Sequence, residues 1–262
     1  MIKGIIRMIE HDFKNFFRYK WWLVGLISMN LADLFIMAVI YNNMLSANVK
    51  DQIGGSYFNF FAPGLAVTGL FASAFMIGRE INMERRREVH HYLLSLPMTR
   101  MELAIGRVLS GGMRGMMYMS PLLLTCFIFL GFPTIPQFFL ILAVLFLLAT
   151  GISGLSIAIA VSTSSLEKFI TARGLVYYTL FFCSSVFYPL SLIQDLGEEG
   201  KFPSVLVTLA EVNPLSNASD MIRYFLLGYP PFSYTLILNI VVFSVIFTLA
   251  AAFAYIKILE RK

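Results

Sequence analysis

Long apolar runs, broken by short polar segments, set the organisation of this chain. Residues 21–41, 58–77, about 111–132, 138–161, 174–189 and 234–256 are each apolar enough, and most are long enough, to cross a hydrocarbon core as helices. Ahead of them, Ile2, Ile5, Ile6, Ile9, Phe13, Phe16 and Phe17 fall on one helical stripe, and Lys3, Arg7, Lys14 and Arg18 face away. This is the pattern of an amphipathic interfacial helix over residues 1–19, apolar side in the acyl boundary and basic side among headgroups. The first span, not a cleaved leader, is expected to do the targeting.

The most charged run lies between the second and third spans, GREINMERRREVHHYLLSLPMTRMELAIG from Gly78 to Gly106. On a helix Glu80, Glu84 and Glu88 form one stripe, and Val89, Tyr92, Leu93 and Leu96 form an apolar face. Pro97 ends that helix, and Thr99-Arg100-Met101-Glu102 is a capping box for the next. Such a helix–turn–helix at a membrane surface suits a push from a soluble partner. It serves equally as a basic loop that fixes topology.

Composition agrees with the runs. The 262 residues are 58% hydrophobic and 13% charged, where soluble domains are nearer half apolar and a quarter charged. The net charge of +5 does not point to nucleic acid, because the basic residues are spread over loops that border the spans. Sixteen lysines and arginines fall on one side and only Lys50, Lys201 and Arg223 on the other, which places both termini and the 79–100 region in the cytoplasm. Cys126 and Cys183 lie in apolar runs and read as buried thiols.

Polar residues inside the apolar runs are the next candidates. Asn30 and Asp33 sit in the first span, and an ionisable group at mid-depth costs about 2.5–3.5 kcal/mol, so Asp33 is expected to face protein or water, with Arg114 a possible partner. An interhelical hydrogen bond, a subunit contact and a substrate-path site all fit it. Gly111 and Gly115, and the row Thr150, Gly154, Ala158 and Ser162, are spaced for close helix packing. Tyr177, Phe181 and Tyr188 could line a path for an amphipathic substrate, against packing or lipid contact as the ordinary use of an aromatic. Residues 191–232 are irregular and acidic. The stretches near 204–212 and 216–227, separated by Asn213-Pro214, are too short to cross a ~30 Å core at 1.5 Å per residue and are expected to dip in from the outer face.

No G-x4-G-K-[ST] phosphate loop occurs, and His11, His90 and His91 have no metal-ligand companions at useful spacing, so neither nucleotide nor metal is expected on this chain. There is no nucleophile motif or paired-carboxylate site for an enzyme. Asn217-Ala218-Ser219 matches the glycosylation triplet, which is common by chance.

Glu84, Leu93-Leu94, Pro97, Thr99-Arg100 and Gly106-Arg107 resemble the coupling region of ABC-2 permeases, the membrane subunits of ATP-driven exporters. Glu88 stands where such permeases often have glycine. Phe187-Tyr188-Pro189-Leu190, Asn213-Pro214-Leu215 and Arg223 before Gly228 resemble the family's outer re-entrant element. The resemblance implies an all-α membrane protein of the ABC-2 or type V exporter kind. Its parts would be a connecting helix over 1–19, six transmembrane helices, a cytoplasmic coupling helix within 79–100 and a re-entrant segment over 191–232, all in one domain. It implies contacts to a separate ATPase subunit, which would hold the ATP and magnesium, through Glu80, Glu84, Arg86, Glu88, Leu93, Leu94, Pro97, Thr99 and Arg100. Asn30, Asp33 and Arg114 would be intramembrane polar residues, and Pro189, Asn213, Pro214 and Arg223 would build the re-entrant element. A permease homodimer or heterodimer in the plasma membrane would export a lipid-linked glycan, drug, peptide or other amphiphile. An ion-coupled transporter using Asp33, or a non-transporting anchor subunit, are the alternatives; only the permease requires an ATPase partner.

Overall fold

The computed structural model describes residues 2–18, 20–44, 50, 53, 55–87 and 99–260, and among these every regular element is a helix. The candidate positions Glu88, Leu93, Leu94 and Pro97, and the helix face and turn they were to build, lie outside the described residues. In chain order the helices are α1 (Ile2–Phe17), α2 (Lys20–Met44), α3 (Tyr57–Phe75), α4 (Ile77–Arg86), α5 (Arg100–Leu130), α6 (Ile135–Ser162), α7 (Leu166–Phe182), α8 (Leu190–Glu198), α9 (Ser204–Val212), α10 (Pro214–Leu227) and α11 (Tyr234–Glu260).

α3 is the centre of the bundle. Every residue in it is buried except Phe58, Asn59 and Ala72. It runs through the single turn residue Met76 into α4, so that Tyr57–Arg86 is one helical rod of 30 residues, apolar over α3 and charged along α4. Together with Arg100–Leu130, Ile135–Ser162 and Tyr234–Ala254 it is one of four helices among the described residues that are long and apolar enough to cross a membrane. α2, of 25 residues, and α7, of 17, are the other two elements in which the sequence pattern expects spans.

Small residues set the spacing of the central helices. A Cβ on Gly112 would lie 2.8 Å from Thr150 Cγ2 of α6, and one on Gly115 would lie 3.0 Å from Ala74 of α3. Gly111 faces Ser153, Gly78 faces the Ser156 carbonyl, and Gly154 faces the Phe247 carbonyl of α11. Removing side chains at these points lets backbones approach and gain dispersion contacts that lipid tails would otherwise supply. The row from Thr150 to Ser162 is used only in its first half: Thr150 and Gly154 are buried, whereas Ala158 is half-buried and Ser162 exposed.

The fifth apolar helix differs from its expected bounds of 174–189. It starts eight residues earlier, because the Ser165 hydroxyl caps it by accepting from the Lys168 N–H at 3.2 Å. It stops at Phe182, because the Asn213 side chain donates to the carbonyls of Leu180 (2.8 Å) and Cys183 (2.5 Å) and holds the chain in a non-helical turn. Pro189 then opens α8, a helix that the residue pattern did not resolve. α8 and α9 form a short hairpin about Gly200, tied by Gln194 to Glu211 at 2.8 Å.

α10 begins with two local signals acting together. Asn213 accepts from the Leu215 N–H at 2.9 Å, and Pro214 occupies the first helical position, where no N–H is required. It ends at Gly228, whose φ of 73° is left-handed. Its fourteen residues give roughly 21 Å at 1.5 Å per residue, short of a ~30 Å core, and Pro214 to Arg223 are all buried against the bundle.

Replacing Gly154 by Val forces a branched side chain against the α11 backbone at Phe247 and Thr248, and should cost about 1–3 kcal/mol. Gly174→Ala on α7 meets nothing within 4 Å and should hold or slightly raise stability. Thermal unfolding of the two purified variants in detergent checks both.

Candidate functional site: a buried ion-pair cluster

α1 docks along the first half of α5. Gly4 packs against Glu102, where a Cβ would lie 2.9 Å from the carboxyl carbon, and Met8 fills the space over Gly106. Phe16 faces the Arg114 guanidinium, 5.3 Å from ring centroid to Cζ. Each pair is 98 positions apart, so the two helices run parallel in constant register. The docked stripe is Gly4, Met8 and Asp12, at four-residue spacing. Of the apolar stripe read from the sequence, Ile6 and Phe17 are exposed, and Ile5, Ile9, Phe13 and Phe16 half-buried.

Three segments converge where this stripe ends. Arg107 of α5 is fully buried and donates through Nη1 to Asp12 Oδ1 of α1 at 2.7 Å. Its Nη2 pairs with Glu84 Oε2 of α4. Two turns along α5, Arg114 is 1% exposed; it donates to Glu80 Oε1 at 2.5 Å and to the Asp12 carbonyl at 2.7 Å. The α4 carboxylates four residues apart thus meet α5 guanidiniums seven residues apart, as antiparallel neighbours on one helix face do. Beside them Arg85 donates to the Thr163 carbonyl at the end of α6, at 2.9 Å.

Electrostatics fix Asp12 as an anion. Burial alone pushes its carboxyl upward, but Arg107, His11, Arg114 and Ser110 together outweigh that and hold it below the usual carboxylate value. His11 Nδ1 lies 3.3 Å from Asp12 Oδ1 and donates to it when that nitrogen carries the proton. Three carboxylates and two guanidiniums drawn from α1, α4 and α5 make a junction between the three helices. No cluster of metal-ligating side chains occurs among the described residues.

The sequence profile of the ABC-2 type transporter family matches residues 4–227, from the docked face of α1 to the end of α10. The chain belongs to the ABC-2 type transporter family. A comparison with curated proteins gave no match. As an ABC-2 chain it is a multi-pass membrane subunit of an ABC transporter, a kind of chain that works with an ABC ATPase and is not itself catalytic.

The remaining candidate residues of this ABC-2 chain divide by place. Arg86, Thr99 and Arg100 are exposed beside the cluster, and Thr99 and Glu102 form the capping box, with Thr99 N–H to Glu102 Oε2 at 2.7 Å and Glu102 N–H to Thr99 Oγ1 at 3.2 Å. Glu80 and Glu84 pair with the α5 arginines, and the Glu80 side chain stays 36% exposed. Asn30 donates to Tyr118 Oη at 2.5 Å and joins α2 to α5. Asp33 is half-buried on α2, and the terminal nitrogens of Arg114 are held by Glu80 and Asp12, so the pairing of Asp33 with Arg114 does not form.

At the opposite end Arg223 of α10 is buried over Phe60, at 3.7 Å to the ring centroid. It donates to Asp220 (2.6 Å), the Phe60 carbonyl (2.9 Å) and the Val186 carbonyl (3.3 Å). Pro189, Asn213 and Pro214 are buried in the same region. Tyr177 and Phe181 are half-buried between α7 and α3, while the Tyr188 hydroxyl turns back to the Phe182 carbonyl.

Sequence reasoning left Asp12 out of the site and read Arg107 only as part of a motif. The available signal was a charge pattern: an aspartate in phase with Gly4 and Met8, and arginines on α5 opposite glutamates on α4. Arg107→Ala strands Asp12 and Glu84 and should cost about 3–5 kcal/mol, against less than about 0.5 kcal/mol for Arg86→Ala, both read as shifts in thermal unfolding. The Asp12 contribution is complete above its ordinary value of 3.8 and is lost as pH falls through the lower folded-state value. The stability gap between wild type and Asp12→Asn should therefore be widest near neutral pH and narrow in acid.

Proposed function

We propose that this ABC-2 chain is the permease of an exporter powered by separate ATPase subunits, and that the ion-pair cluster carries their motion into the bundle. The observation that supports this most directly is the division of charge on α4. Its inner face, Glu80, Glu84 and Arg85, is fixed to α5 and α6, whereas Arg86 and Arg87 project at its end and Arg100 and Met101 project at the start of α5. A docking segment needs an exposed rim to bind its partner and a stiff base to avoid losing the motion. The residues between these rims, 88–98, are where the ATPase contact belongs, with Glu88, Leu93, Leu94 and Pro97 in it.

On this reading force applied to the segment reaches α3 through the continuous rod at Met76 and reaches α5 through the capped start at Thr99. It also reaches α1 through Arg107 and Asp12, so three helices move together. The termini and the cluster are cytoplasmic, α2 and α7 complete six crossings, two permease chains form the transport unit in the plasma membrane, and α8 to α10 form the outer element. The ATP and magnesium are held by the partner.

Arg86→Glu/Arg87→Glu should weaken assembly with the ATPase subunit by roughly tenfold or more while leaving the thermal stability of the chain alone within error. Normal assembly and transport by that variant would overturn the docking assignment. The topology is tested separately. Ser204→Cys should react with an impermeant thiol reagent only from outside and Lys168→Cys only from inside. Ser219 is buried in α10 and offers no site for such labelling, although the sequence places it in the same outer segment.

A further inference from the structure

Most of the buried or half-buried arginines answer to a carboxylate or a set of carbonyls. Arg107 has Asp12 and Glu84, Arg114 has Glu80, Arg223 has Asp220, and Arg85 has the carbonyls at the end of α6. Arg173 is different. Half-buried on α7, it touches only soft groups: its Cζ lies 6.0 Å from the Phe75 ring centroid and Nη2 lies 3.8 Å from Met76 Sδ. Arg79 is exposed and lies one turn beyond Phe75 and Met76, the two residues that Arg173 touches, on the same helical rod. Among the described residues neither guanidinium has a carboxylate partner. Two cations held near each other without an anion between them are costly to keep unless an anion completes the site.

What lies behind these cations is apolar and aromatic. Arg173, Tyr177 and Phe181 follow one another at four-residue spacing along α7, and Tyr177 stacks on Phe181 at 5.8 Å. Tyr177 also stacks on Phe71 of α3 at 4.8 Å and 17°, so rings fill the seam between the two helices. Only Phe169 of α7 is buried, and Leu175, Tyr178 and Phe182 are open at the outer side of the seam. The seam is therefore a long apolar wall with a cationic mouth at the α4 end.

We propose that Arg79 and Arg173 bind the anionic headgroup of a membrane amphiphile whose apolar chain lies over the exposed outer side of the ring-filled α3–α7 seam. The charge of the mouth selects a phosphate-type headgroup, donated to by two guanidinium forks, and the ring ladder selects an attached hydrocarbon chain over a free anion. That this amphiphile belongs to the cargo class rests on the permease reading; the binding site does not.

The test uses the purified full-length chain without an ATPase, in detergent carrying phosphatidylglycerol or phosphatidylcholine of the same acyl chains, with retained lipid counted by native mass spectrometry. Phosphatidylglycerol should be retained about tenfold more strongly than phosphatidylcholine, and Arg79→Ala or Arg173→Ala should each remove most of that preference. Arg173→Lys should keep a good part of it. Lys168→Ala, one exposed cation further along α7, should leave it unchanged. Tyr177→Ala should weaken retention of both lipids alike. Equal retention of the two lipids by the wild type would overturn the proposal, as would full retention by the Arg79→Ala/Arg173→Ala variant. Displacement of phosphatidylglycerol by inorganic phosphate at equal concentration would also overturn it, by showing a site for a free anion. Because no ATPase is present, failure here leaves the docking test on Arg86 and Arg87 standing, and failure there leaves the lipid result standing.

Discussion

Two guanidinium groups buried at one end of an apolar bundle set the terms for the segments around them. An ion taken out of water and left alone costs several kcal/mol, more than any single helix contact returns. Arg107 and Arg114 both belong to α5, yet α5 carries no carboxylate placed to serve them. Their partners come from α1 and α4, and Arg107 has one from each side. Lifting either helix away would expose the other to an uncompensated charge. The amino-terminal helix, the helix after α3 and the start of α5 are thus one electrostatic unit, though roughly a hundred residues separate its ends.

The opposite end uses the same ingredients differently. Arg223 and Asp220 sit on one helix, three residues apart, so their pairing survives any displacement of α10 as a body. Their further bonds go to the Phe60 and Val186 carbonyls and to Ser185, and fasten α10 to α3 and to the break after α7. This is a clamp whose charges balance locally. At the α1 end balance depends on three segments staying in register, which makes that end the one where a displaced segment is felt by its neighbours.

The sequence was informative where local chemistry decides local structure. The capping box at Thr99 and Glu102, the Asn213-Pro214 start of α10 and the left-handed stop at Gly228 each follow from a few adjacent residues. It was less informative where a distant group decides. The end of α7 is set by Asn213, some thirty positions away, and apolar periodicity runs on through it. The glutamate stripe was legible as a stripe, but which side of α4 faces solvent depends on Arg107 and Arg114, which only the folded bundle brings alongside. Asp12 was hidden by the stronger apolar stripe on its own helix, because hydrophobic phase marks the face toward any apolar medium and does not separate lipid from protein. Glycines such as Gly4 and Gly106 let one stripe of such a helix dock on protein.

Packing divides the bundle into a stiff part and a loose one. α3, α5, α6 and α11 approach through glycines and serines with little room for sliding, because a shift would drive backbone into backbone at Gly78, Gly151 and Gly154. α7 is joined to α3 by stacked rings, which slide and tilt over one another at small cost compared with interlocked backbones. Under the proposed coupling, motion delivered at the ion-pair cluster would enter the close-packed helices, and the α3–α7 ring seam is the softer contact. That seam has Arg79 and Arg173 at its α4 end and the Asn213 hydrogen bonds at the other. The two ends of α7 are held differently: one by hydrogen bonds from Asn213 to backbone carbonyls, and the other by the buried Phe169 together with the cation–ring and sulfur contacts of Arg173.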